Sequence, residues 1–128
     1  MKKKSKRIVS LLIVVCMLVT IFTFGAAAKT TTGTKNGISY TATMSFDRRY
    51  MEVIFLADST ASLKFDGYAQ CSLGLSEETV PCRSSAMSTI IAKTVNPKTD
   101  SLQFYYGQEQ YYINSYYVTT QAESLPRL

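Results

Sequence analysis

The sequence predicts an all-β fold, a small antiparallel β-sandwich or partly open barrel of about seven strands, behind an N-terminal signal peptide. Three observations carry this. Apolar residues alternate with small polar ones along several segments, turn-forming residues recur at short intervals, and no stretch of ten or more residues has a helical period.

Residues 1–28 read as the signal peptide. Lys2, Lys3, Lys4, Lys6 and Arg7 precede an apolar run over 8–24, and Ala26 and Ala28 supply the small residues that suit cleavage after Ala28. The expected location is therefore extracellular. A membrane contact is expected only if the segment is retained as an anchor, for which a nearly unbroken apolar run of 17 residues is at the short end of the roughly 17–25 that span a bilayer. The formal charge of +5 belongs to this segment: five of the 14 basic residues lie in it, leaving nine against nine acids. A neutral remainder with no concentrated basic face gives no reason to expect a nucleic-acid partner.

Residues 29–37 (KTTTGTKNG) read as a flexible polar leader, and the β-sandwich domain is placed at 38–122. In 38–46, Ile38, Tyr40, Ala42, Met44 and Phe46 fall on one parity and Ser or Thr on the other, the pattern of a half-buried strand. Asp47-Arg48-Arg49 makes a turn, and 50–57 continues as a strand with apolar residues on both parities. Asp66-Gly67 is a hairpin signal. Yet Ala61, Leu63, Phe65, Gly67, Ala69 and Cys71 keep one unbroken parity, which favours a single strand with a bulge or bend at Gly67. Further strands are expected over 86–94, around Leu102–Tyr106 and over 110–121, with a turn at 96–100 and a frayed tail at 123–128.

Cys71 and Cys82 are the two cysteines beyond the signal peptide, and an exported chain passes into an oxidising space. They are expected to form a disulfide across a hairpin centred near Ser76-Glu77, contributing about 2 kcal/mol or more.

The chain contains no histidine. That removes the commonest general base, the commonest metal ligand and both Ser-His and Cys-His nucleophile pairs. Glu77-Glu78 reads as a solvated turn, and nothing in the spacing brings Glu52 to Asp66 as a carboxylate pair. No phosphate loop or calcium loop is present. The expectation is a protein without catalytic residues, metal or cofactor.

Surfaces remain, and residues 104–117 (FYYGQEQYYINSYY) hold six tyrosines in fourteen positions. Neighbouring side chains of a strand point to opposite faces, so each Tyr-Tyr doublet should divide between core and surface. With Leu102, Phe104, Tyr106, Tyr111, Ile113 and Tyr117 inward, the outward set is Tyr105, Tyr112 and Tyr116. These are either a cross-strand aromatic ladder or a platform for a cell-wall glycan, a peptide or a protein partner. The functional expectation is a secreted, non-enzymatic protein that binds or self-associates at the cell surface through this aromatic face. The alternative is a secreted, bacteriocin-like antagonistic protein, against which the neutral charge stands.

Overall fold

The structure, a computed structural model, describes residues 27–128; the signal-peptide reading of 1–28 therefore lies almost wholly outside the described residues. Six strands follow one another: β1 (Ala27–Lys35), β2 (Ile38–Phe46), β3 (Met51–Leu73), β4 (Ser76–Val95), β5 (Gln103–Ile113) and β6 (Tyr116–Ser124). They take up 79% of the described residues, with no helix, and form an antiparallel sheet nearly closed into a barrel. The expected all-β class is borne out, with six strands rather than about seven.

The sheet order is β1-β2-β3-β5-β6, with β4 also paired to β3. Met51–Ala57 of β3 lies beside β2, and Leu63–Ser72 lies beside β5, so β2 and β5 share one edge of β3 in succession. Strand β4 runs along the other edge for nearly the whole length. Its register with β3 slips between Leu56 and Ala61, dividing the long hairpin between a β1–β2 half and a β5–β6 half. The segments 50–57 and 61–71, expected as separate strands, are thus parts of one. Gly67 itself is paired regularly on both sides, opposite Cys82 and Glu109; the expected bulge there is absent.

Three turns follow from local chemistry. Asn36 and Gly37 both have positive φ (51° and 79°), the requirement of a type I′ hairpin. This turn pairs Lys35 with Ile38 and makes the Thr-rich segment a strand instead of a flexible leader. Asn114 and Ser115 do the same at φ 50° and 69°, dividing the expected strand 110–121 into β5 and β6. The Asn114 side chain accepts a hydrogen bond from the Ser62 amide (3.0 Å), and its own amide donates to the Ser62 carbonyl (2.8 Å), fixing this turn on β3. Gly74, at φ 62°, opens the two-residue β3–β4 turn.

The core lies inside the nearly closed sheet. Phe46, Phe55, Phe65, Phe104, Tyr111 and Met44 are its largest fully buried side chains. Each such side chain removes enough apolar area from water to contribute about 2–3 kcal/mol. Phe55 and Tyr111 meet at 5.0 Å between centroids, joining the two halves of the barrel. Closure of β1 against β6 depends on a buried amide. The Gln121 Nε2 group donates to the Ala42 carbonyl (2.9 Å), the Thr31 hydroxyl (3.0 Å) and the Lys29 carbonyl (3.2 Å), while its Oε1 accepts from the Tyr111 hydroxyl (2.6 Å).

The tail is held as well, contrary to the frayed end expected. Strand β6 continues to Ser124, and the Leu125 amide donates to the Tyr105 carbonyl at 2.7 Å. Arg127 pairs with Glu77 at 3.2 Å, and the Ser72 hydroxyl donates to the Leu128 carbonyl at 3.3 Å.

Candidate functional site

The outward face of the β4–β3–β5–β6 sheet carries the aromatic surface. Its composition follows from register. Lys64 of β3 lies between Ser85 of β4 and Tyr112 of β5, and Tyr112 faces Tyr117 of β6. The next row across is Arg83, Asp66, Gln110 and Thr120, and the one beyond it is Pro81, Tyr68, Gln108 and Ala122. Tyr106, opposite Gln70, closes the pattern.

Two aromatic pairs mark the ends of this face. Tyr68 and Tyr106 lie 6.1 Å apart between centroids; Tyr112 and Tyr117 also lie 6.1 Å apart, edge to face at 74°. The Lys64 ammonium sits 5.3 Å from the Tyr112 centroid. Between the pairs, the Arg83 Nε donates to Asp66 Oδ1 at 2.9 Å. Gln108 Oε1 accepts from the hydroxyls of Tyr106 (3.0 Å) and Tyr68 (3.4 Å), and Gln110 Oε1 accepts from Tyr112 (3.0 Å). The rings are therefore tethered by their own neighbours. Burial and the adjacent Tyr68 hydroxyl hold the Tyr106 phenol above its ordinary value, so it stays a neutral donor. A shallow groove of about 360 Å³ runs over Asp66, Tyr68, Pro81 and Gln108.

The three tyrosines expected on this face are not assembled as a set. Tyr112 is there, half-buried among partners. Tyr105 is the extra residue of a bulge, because Gln70 pairs with Tyr106 while Cys71 pairs with Phe104. It reaches the far end of the face, where its hydroxyl donates to Glu77 (2.8 Å) and the Arg127 guanidinium covers its ring at 5.5 Å. The bond to Glu77 is the main cause of its raised pKa. Tyr116 lies opposite the inward-facing Ile113 at the barrel's end, exposed and apart from the others. Tyr106 and Tyr117, expected in the core, belong to the surface instead. The doublet rule holds for Tyr111 and Tyr112, and also for Tyr116 and Tyr117, where the register slip at Val118 exchanges the expected faces; it fails at Tyr105 and Tyr106, where the bulge lets both rings reach the outer surface. Tyr68, Asp66, Arg83, Gln108 and Gln110 were not legible as a site, since they meet only through pairing of three strands.

Behind the groove, the interior contains one acidic or basic residue among the buried side chains of the described residues, Glu109. It stands on the inward parity opposite Gly67, which is opposite Cys82, while Gln121 faces it from β6. Neither carboxyl oxygen has a hydrogen-bond partner among the described residues. Burial first, and the nearby Asp66 charge second, push its pKa up to about 9, so it is a neutral acid at pH 7. Asp66 and Glu109 point to opposite faces of the sheet and share no cleft. No group of three or more metal-ligating side chains gathers among the described residues.

Cys71 and Cys82 are both buried free thiols. The turn at Gly74-Leu75 pairs Leu73 with Ser76, which places Glu78, not Cys82, across from Cys71. The expected bridge assumed a turn two residues further on. In the observed register the two cysteines are offset by four positions, roughly 13 Å along the strand, well beyond the ~4.4–6.8 Å between Cα atoms that a disulfide requires. Burial pushes the Cys82 thiol up to about 12, with Glu109 adding to it, and burial with the neighbouring Glu78 raises Cys71. Reduction should therefore leave the intact mass unchanged, and neither thiol should take up iodoacetamide until the protein is unfolded. A mass gain of two hydrogen atoms on reduction would restore the bridge.

No family model matches the chain, and no curated protein and no solved structure matches it.

Proposed function

We propose that this is an exported, non-enzymatic binding module that engages a cell-surface partner through the outward face of the β4–β3–β5–β6 sheet. The observation that carries the reading is the pair of aromatic clusters, Tyr68–Tyr106 and Tyr112–Tyr117, flanking polar side chains on one open face. Tyrosine supplies large contact area with few rotatable bonds, so little entropy is lost on binding. The absence of histidine from the sequence and the separation of Asp66 from Glu109 support a binding role over a hydrolytic one. Export agrees with the form of residues 1–28: a cut after Ala28 leaves 29–35 in place to pair with β2, and the Lys29 carbonyl accepts from Gln121.

The test is retention of the labelled protein on isolated cell-envelope material. A Tyr68→Ala/Tyr112→Ala variant should be retained at least roughly tenfold less well, since each lost aromatic anchor commonly costs more than 1 kcal/mol. Its thermal midpoint should stay near that of the parent. Equal retention of a folded variant would end the reading.

A further inference from the structure

We infer that the groove between the two aromatic clusters takes a neutral oligosaccharide, with Gln108, Gln110, Asp66 and Arg83 reading its hydroxyls; this rests on the binding-face reading above. The two glutamines are oriented by the tyrosines around them. Gln108 Oε1 accepts two phenolic hydroxyls and Gln110 Oε1 accepts one, which turns both NH₂ groups away from these bonds. Neither NH₂ group has a partner among the described residues, and both glutamines are half-buried and line the groove, so two neighbouring donors remain for a ligand. Asp66 uses Oδ1 for the Arg83 Nε, leaving its second oxygen as an acceptor beside the free terminal nitrogens of the guanidinium.

A donor and an acceptor held next to each other suit adjacent ring hydroxyls, each of which both gives and takes a hydrogen bond. Charge points the same way. Within the groove lining Asp66 and Arg83 neutralise one another, so an anionic ligand there meets the carboxylate and a cationic one meets the guanidinium, while a neutral ligand meets neither cost; the Lys64 ammonium lies outside that lining, against the Tyr112 ring. The backbone of β3 and β5 under the groove is already paired on both sides, so an extended peptide finds no strand edge to extend there. The aromatic faces supply apolar contact for the C–H side of sugar rings. Along β3, the Tyr68 row and the Lys64 row are four residues apart, roughly 13 Å, longer than one sugar ring and suited to a short run of them. Because the side chains are tethered before binding, little further ordering is required.

The experiment is affinity electrophoresis of the intact protein through gels containing a mixed-linkage glucan, a xylan or a galactomannan, with polygalacturonate as the anionic comparison. Retardation is expected in at least one neutral gel, is expected to persist at high salt, and is not expected in polygalacturonate. Gln108→Leu should weaken it roughly tenfold, while Met87→Ala, at an exposed site on β4 outside the groove, should leave it unchanged. Passage through all three neutral gels without retardation would overturn the inference, as would salt-sensitive retardation in polygalacturonate alone. If envelope retention still depends on Tyr68 and Tyr112 in that case, the binding face stands with a ligand of another class. If that dependence is lost too, both readings fall.

Discussion

Raising the pH from about 5 to about 9 is expected to weaken the fold steeply, and Glu109→Gln is expected to abolish most of that slope. Glu109 is fully buried, has no hydrogen-bond partner for either oxygen among the described residues, and titrates near 9 in the folded protein against an ordinary 4.5. Between those values the folded chain holds a proton that the unfolded chain has released. The unfolded state binds fewer protons there, so stability falls as the pH rises, by up to about 1.4 kcal/mol for each pH unit. The contribution is complete below about 4.5, declines across the window and is exhausted once the pH passes the folded value. The groups that face the carboxyl sustain this. Gly67 and Cys82 offer no positive charge, Tyr111 and Gln121 are bound to each other, and Asp66, on the far side of β3, repels it. Urea unfolding at several pH values tests it. The wild type and Glu109→Gln should diverge progressively above pH 5, with the variant the more stable at pH 8; parallel curves would mean that the carboxyl finds a partner or water.

The same residue shows what the sequence did and did not disclose. Strand alternation was legible wherever one parity was apolar, as in β2, because burial of Tyr40, Ala42, Met44 and Phe46 demands it. Strand β1 was not, because its inward side is satisfied by Gln121 and the Tyr40 ring instead of by its own apolar residues. A Thr-rich strand of that kind resembles a polar leader until the Asn36-Gly37 turn is given its weight. Two bulges, at Tyr105 and at Val118, shifted the parity on which the surface tyrosines were assigned, and a bulge leaves little trace in composition. Glu109 lies on the buried parity of β5, but a lone acid in a tyrosine-rich strand reads as solvated. Its burial becomes visible only when Gly67 is placed opposite it. The groove residues Asp66, Arg83 and Gln108 were hidden for a similar reason, since register alone brings them together.

Among the described glycines, Gly67→Ala is expected to be the most damaging substitution, costing about 3 kcal/mol or more, the upper end of what overpacking produces. The cause is space and not backbone conformation. A Cβ on Gly67 would collide with the backbone carbonyl of Gln108, and would stand 2.5 Å from Glu109 Oε2 and 2.7 Å from its Cδ. The carboxyl is the end of a side chain and can rotate away, but the Gln108 carbonyl belongs to a neighbouring strand. Moving it means spreading β3 from β5, at the row where Cys82, Gly67, Glu109 and Gln121 cross four strands. The outer groove should suffer with it, because Asp66 and Tyr68 flank Gly67 and Gln108 carries the facing amide. Gly74→Ala makes the comparison: its φ is 62° with open space around it, so it should cost only about 1 kcal/mol through conformation. Combining Gly67→Ala with Glu109→Ala separates the two contacts. Removing the carboxyl relieves the softer clash and the buried acid, but not the collision with the Gln108 carbonyl, so the double variant should recover part of the loss and remain less stable than Glu109→Ala alone. Full recovery in urea unfolding would place the whole conflict in the carboxyl and show that β3 and β5 can part at Gly67 without penalty.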